Sequence, residues 1–183
     1  LSREHAILVD PDSGLLTIAG GKWTTYRRMA KDVVTHASML AGLDPRRCET
    51  ERIRMHGATE TAGEADEWGE LAEYGTEAAT VASIARERPE LRERLHPRLE
   101  VVGAEVAHAC RSEMARTLDD VLSRRTRCLV LDARAAVEAA PRAASIMAAE
   151  LGRDEAWAEE QVRRFGAVAG ACLPADAEDV MHR

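Results

Sequence analysis

The sequence predicts a mainly α-helical protein that opens with a β-hairpin, and three observations carry that prediction. Aromatic residues are only 3% of the 183 residues while alanine is abundant, which favours helices packed through small side chains over a β-sandwich. Two short apolar runs, Ala6 to Val9 and Leu15 to Ala19, flank Asp10-Pro11-Asp12-Ser13-Gly14, a cluster of turn formers. Beyond them, apolar residues recur at helical spacing for most of the chain. With 45% hydrophobic and 31% charged residues, there is material for one core, or for a core plus an appended piece.

The elements follow in order. After the hairpin comes Gly20-Gly21-Lys22-Trp23-Thr24-Thr25, and then a helix in which Tyr26, Met29, Val33, Ala37 and Leu40 share a face, stopped by Gly42 and Pro45. From Leu43 to Gly63 there is no long apolar period, which places a domain junction near Leu43 and divides the chain into 1–43 and 44–183. Helices are expected over Asp66 to Tyr74 and Thr76 to Arg88, separated by Gly75, with a short helical turn between Pro89 and Pro97. Val101 to Glu113 reads as a helix, and Thr117 as the N-cap of Leu118 to Arg125. Cys128 to Leu131 reads as a short buried run and Asp132 as the cap of a helix through Ala139. Pro141 fits the first turn of a separate helix ended by Gly152. Asp154 opens the last helix, with Ala158, Val162, Phe165, Ala169 and Cys172 on one face, before a frayed tail from Ala175.

The chemistry concentrates at the Gly-Gly bend. Two glycines permit backbone geometries and close approaches that a Cβ would obstruct, and the amides opening a helix favour an anion or an electron-rich ligand edge. Lys22 adds a cation there, and Thr24 and Thr25 add hydroxyls that serve equally as ordinary caps. Elsewhere the signals are negative. Cys48, Cys110, Cys128 and Cys172 form no Cys-x-x-Cys pair, and the six histidines show no metal-ligand spacing, so neither a metal site nor a disulfide framework is indicated. A net charge of −7 disfavours nucleic-acid binding. No window has the roughly 20 apolar residues of a spanning helix. Arg124, Arg125 and Arg127 form a basic patch that reads as helix-end charge paired to Asp119, Asp120 or Glu113, or as an intersubunit or anionic-lipid contact.

Two ordered blocks point to a family. Ser2-Arg3-Glu4-His5, Ser13 to Ala19 and Gly20 to Arg27 with Met29-Ala30 form the first, and Glu113 to Arg127 the second. Together they resemble the end of the catalytic domain and the helical C-terminal domain of FAD-dependent glycerol-3-phosphate dehydrogenase. The resemblance implies that residues 1–43 are the last segment of an FAD-binding α+β catalytic domain and that 44–183 form an all-helical C-terminal domain. It implies FAD as cofactor, held in part by Gly20, Gly21, Lys22, Trp23, Thr24 and Thr25, and sn-glycerol 3-phosphate as substrate, met by Arg3 and Lys22. Oxidation to dihydroxyacetone phosphate, electron transfer to quinone, and peripheral attachment of the full enzyme to the cytoplasmic or mitochondrial inner membrane are further implications. No residue here is expected to be the catalytic base, which the resemblance puts upstream of Leu1. An oxidase using oxygen, a homodimer, and a non-catalytic helical interaction or oligomerisation module remain open alternatives.

The sequence contains no Gly-x-Gly-x-x-Gly fingerprint, the element that cradles a dinucleotide pyrophosphate. The chain is therefore expected to be the C-terminal part of a longer enzyme. One flavin edge does not repay the entropy of association, so the purified chain should be colourless. A stoichiometric flavin spectrum surviving gel filtration would overturn that expectation.

Overall fold

The computed structural model describes residues 4–44, 46–59 and 66–173, which divide into two compact units, Leu1–Met55 and His56–Arg183. The first unit is the expected hairpin and helix. Strands β1 (His5–Val9) and β2 (Leu16–Gly20) pair antiparallel, with Ile7 opposite Ile18. Their turn is held by the Asp10 carboxylate, which accepts the Ser13 N–H at 2.8 Å and the Ser13 hydroxyl at 2.7 Å. Those bonds hold the Asp10 carboxyl below its ordinary range. A 3-10 turn over Trp23–Thr25 leads into α1 (Tyr26–Leu40). The segment after α1 stays with this unit, where the Arg27 guanidinium meets the Glu51 carboxylate at 3.3 Å. No described residue of the unit is fully buried, and Leu8, Leu15, Val34, Met39 and Leu40 are all exposed.

The second unit is all-helical. It begins with a stretch of 3-10 character over Asp66–Glu77, broken at Gly69 and Gly75, and continues as α2 (Ala78–Glu87). The two helices expected on either side of Gly75 are thus one 3-10 stretch and a shorter α-helix. Gly75 has φ +54° and ψ −125°, and a Cβ there would lie 1.8 Å from the Gly57 carbonyl oxygen. That same oxygen accepts the Thr76 N–H at 3.1 Å. A 3-10 turn at Pro89–Arg92 buries Leu91. Then α3 (Gly103–Ser112) is buried continuously from Gly103 to Cys110. Its opening is pinned by Glu105, whose carboxylate accepts the Val102 N–H at 2.6 Å and the Tyr74 hydroxyl at 3.0 Å.

Thr117 and Asp120 cap each other as their spacing suggests. The Thr117 hydroxyl accepts the Asp120 N–H at 3.2 Å, and the Asp120 carboxylate accepts the Thr117 N–H at 2.9 Å. The helix they open widens into a π-turn over Asp120–Arg125. Buried Gln161 reaches across to accept the Leu118 N–H at 3.0 Å. Next come α4 (Cys128–Leu131), α5 (Ala133–Leu151) and α6 (Glu155–Gly170). Only half of Cys128 to Leu131 is buried: Cys128 and Leu129 face inward, whereas Val130 and Leu131 are exposed. One turn of helix presents all sides, so a four-residue apolar run cannot hide every member.

The break expected at Pro141 is absent, because α5 runs continuously through it. Proline removes one N–H and the Val137 carbonyl loses that donor, but Ala139, Ala140, Ala143 and Ala144 around it are buried against neighbouring helices. Tertiary packing outweighs the local penalty. Both ends of α5 follow the sequence reading: Asp132 accepts the Ala135 N–H at 3.0 Å, and Gly152 ends the helix at φ +62°. Asp154 caps α6 through the Trp157 N–H at 2.9 Å. Phe165 and Ala169 of its apolar face are buried, but Cys172 lies beyond the helix and is exposed. The tail read as frayed falls outside the described residues.

One core joins these helices, with Phe165, Leu118, Leu122, Met147 and Val106 its largest fully buried apolar side chains. Amide exchange should therefore be slowest in the segments holding Val106 and Phe165 and much faster in Ala6 to Ala19. Equal protection of the hairpin in a monomer would contradict this division. Gly75→Ala should lower the unfolding free energy by about 3 kcal/mol or more in urea titrations, from backbone strain plus the clash with Gly57. Gly69→Ala, whose Cβ would meet nothing within 4 Å, should cost distinctly less.

Candidate functional site

The Gly-Gly bend is built almost entirely from local bonds. Gly20 and Gly21 both have positive φ, +85° and +73°, a pair of values that L side chains rarely adopt. The Gly21 N–H donates to the Glu4 carbonyl at 2.9 Å, tying the bend to the start of β1. A Cβ on Gly21 would stand 2.3 Å from the Met29 sulfur, so the bend lies directly against α1. Lys22 is extended, and its peptide is gripped by Thr25. The Thr25 hydroxyl accepts the Lys22 N–H at 3.0 Å and donates to the Lys22 carbonyl at 2.9 Å, and the Thr25 N–H reaches the same carbonyl at 2.8 Å.

This arrangement leaves two backbone donors without a protein partner among the described residues, the N–H groups of Trp23 and Thr24. They are the orphan amides expected where a helix opens, and the positive end of the α1 dipole reinforces them. Lys22 is exposed with no carboxylate within ion-pair distance among the described residues. Trp23 is 85% exposed and stacks on Tyr26 with ring centroids 5.5 Å apart and planes inclined by 24°. One cation, two free amides and a flat apolar surface thus sit within the five consecutive residues from Lys22 to Tyr26. Such a set can bind an anion, or the electron-rich edge of a planar ligand. Arg3 lies outside the described residues.

The other sequence candidates take structural places. His5 Nε2 is 3.2 Å from the Asp32 carboxylate, and His36 Nδ1 is 2.8 Å from the Asp32 carbonyl. His96 contacts Glu138 at 2.7 Å and His56 lies 3.6 Å from Glu77. His108 is buried, and His182 is outside the described residues. The cysteines are free, and among the described residues no group of acidic, histidine or cysteine side chains could hold a metal ion. Arg124 pairs with Asp119 and Asp120, at 2.5 and 3.2 Å, and Arg125 with Asp120 at 3.5 Å. The helix-end reading of that patch therefore fits these two, while Arg127 makes no such pair among the described residues.

Tyr74 and Glu105 were not singled out from sequence. The Tyr74 ring stands edge-on to His108, with centroids 5.5 Å apart. Burial, followed by the neighbouring Glu105 charge, pushes its phenol well above the ordinary tyrosine range. A glutamate three residues into a helix was the available signal for Glu105, and nothing local signals Tyr74.

Residues 16–158 match the family model for the C-terminal domain of alpha-glycerophosphate oxidase. The chain is 40% identical over 134 residues to glycerol-3-phosphate dehydrogenase 1 of Mycobacterium tuberculosis, covering 69% of this chain and 25% of that protein. It is 35% identical over 179 residues to the mitochondrial glycerol-3-phosphate dehydrogenase of Rattus norvegicus, covering 88% of this chain and 24% of the relative. It thus spans about a quarter of the length of these curated relatives. Among solved structures, the glycerol-3-phosphate dehydrogenase from Bacillus halodurans complexed with FAD superposes with a TM-score of 0.65 at 24% identity, over 91% of this chain and 36% of that one. That likeness speaks to fold. The match over most of the chain shows that it belongs to the family of the C-terminal domain of alpha-glycerophosphate oxidase, among the glycerol-3-phosphate dehydrogenases.

Proposed function

We propose that this chain serves as the C-terminal part of a flavoprotein that oxidises sn-glycerol 3-phosphate to dihydroxyacetone phosphate. Residues 1–43 close its catalytic domain and the helical unit follows. The observation that carries this reading is the bend from Gly20 to Thr25, whose Trp23 and Thr24 donors have no partner among the described residues, in a chain whose relatives are glycerol-3-phosphate dehydrogenases. FAD, when bound, supplies the hydride acceptor for C2 of the substrate.

The residues present fit one edge of that cofactor. The Trp23 and Thr24 amides would hold the pyrimidine side of the ring system, where reduction places negative charge, and the α1 dipole favours that charge. Gly20 and Gly21, at φ values a Cβ would disfavour, let the backbone turn sharply into the helix that carries those amides. Lys22, unpaired and extended, would meet the substrate phosphate or its reacting hydroxyl, with Arg3 as a second phosphate ligand. The exposed apolar faces of the hairpin and of α1 suit burial against further parts of a catalytic domain. Quinone as acceptor and peripheral association with the inner membrane belong to this reading. Among the described residues no helix is long and apolar enough to cross a membrane. The family model's own description, an oxidase domain, supports a second reading with oxygen as acceptor, which assays with a quinone analogue and with oxygen would separate.

In a full-length enzyme carrying this segment, Lys22→Ala should lower kcat/KM for glycerol 3-phosphate roughly 10- to 1,000-fold, about 1.4 to 4 kcal/mol of transition-state stabilisation. Flavin content should barely change. Lys31→Ala, on the exposed surface of α1, is the control and should be nearly silent. Full kcat/KM in a well-folded Lys22→Ala enzyme would sink the substrate-site assignment.

A further inference from the structure

The second unit contains a cleft of about 900 Å³ that the catalytic reading does not use. Among its lining residues are Tyr74, His108, Glu113, Arg124, Arg125 and Arg127. Three features of this lining stand out, two of them costly in an otherwise well-satisfied fold. Two buried polar atoms, His108 Nδ1 and Glu113 Oε2, have no hydrogen-bond partner among the described residues, and such orphans in a folded protein call for an explanation. His108 is only 1% exposed, so its orphaned nitrogen is not an incidental surface group. Arg127 is exposed and is the one cleft arginine without a carboxylate partner among the described residues, since Arg98, Arg124 and Arg125 are all paired; its charge is available to a ligand. The backbone around them is also strained. Met114 and Arg127 are the only non-glycine residues with positive φ among those described, +56° and +57°, and the π-turn Asp120–Arg125 lies between them. Strain and π-turns concentrate at binding sites.

The orphans define what would satisfy them. The exposed, unpaired Arg127 guanidinium is free to take an oxyanion, and its planar fork suits phosphate oxygens. An orphaned carboxylate oxygen calls for a donor. His108 Nδ1 accepts or donates according to its tautomer, so a group that can do both is favoured over an ammonium, which only donates. A hydroxyl meets both needs. The Arg125 guanidinium donates to the Glu113 main-chain carbonyl at 2.7 Å, which ties the chain entering the strained segment to its π-turn beside the cleft.

We infer that this cleft binds a small hydroxylated organic phosphate, its phosphate on Arg127 and its hydroxyls toward Glu113 and His108. The site lies wholly within the second unit and shares no residue with the Gly20–Thr25 bend, so it stands or falls apart from the proposed catalytic role. Titration of the isotopically labelled chain with sn-glycerol 3-phosphate, to about 20 mM as befits a weak ligand, should give saturable amide shifts around His108, Glu113 and Arg125–Arg127. Arg127→Gly removes the cation while suiting the left-handed backbone, and should weaken binding at least roughly tenfold. Glu113→Gln, which keeps the shape, should weaken it severalfold and provides the test should Arg127→Gly fail to fold. Inorganic phosphate should bind more weakly, and glycerol alone should cause no shift. Absence of saturable shifts at the cleft, undiminished affinity in both variants, or phosphate binding as tightly as glycerol 3-phosphate would each overturn the inference. Shifts confined to Lys22–Thr25 would overturn it while supporting the bend.

Discussion

The helical unit depends on the alanine face of α5. Ala135, Ala136, Ala139, Ala140, Ala143 and Ala144 are all buried, and α3, α4 and α6 pack against this one helix. Side chains this short let helix axes approach closely, which is how a chain with one phenylalanine builds a dense core. The large residues come from the partners instead: Phe165 from α6, Val106 from α3, and Leu118 and Leu122 from the segment before α4. Polar ties close the ends. The Glu150 carboxylate, near the C-terminus of α5, accepts both the Arg88 guanidinium and a two-point contact from Arg111, at 2.6 and 3.0 Å. A bidentate arginine on a nearly buried carboxylate holds more strongly than an exposed pair.

The two units distribute stability and chemistry differently. The helical unit holds the buried core and the satisfied caps, while the first unit has no fully buried described residue. Its bend keeps a definite shape without a core because Glu4, Lys22 and Thr25 fix it through short-range backbone and hydroxyl bonds. Rigid local geometry with unspent donors is the combination a binding bend requires, since preorganised amides need no rearrangement when a ligand arrives. Within the helical unit the left-handed residues Met114 and Arg127 flank a π-turn, and the residues His108 and Glu113, each with an unpartnered buried atom, line the same cleft as Arg127.

Features governed by neighbours in sequence were legible. The hairpin turn, the caps at Thr117, Asp132 and Asp154 and the stop at Gly152 each depend on residue type over three or four positions, and all formed as read. The bend was legible for the same reason, its unpartnered amides being a consequence of two glycines followed by a helix. The helix expected to restart at Pro141 was not, because the local penalty of proline was outweighed by alanines whose packing partners lie on other helices. Likewise, apolar character alone put Val130, Leu131 and Cys172 inside, whereas the helix geometry turned them out.

The sequence by itself determined the fold class, the order of elements, the family and the donor-bearing bend, since these follow from local chemistry and from two ordered blocks of residues. Tertiary structure alone decided that α5 is one helix, that Tyr74 and Glu105 meet across 31 positions, and that His108, Glu113 and Arg127 line one cleft. The physical reason is the same in each case. Burial and long-range hydrogen bonding are properties of what lies opposite a residue, and no period or spacing along the chain records that.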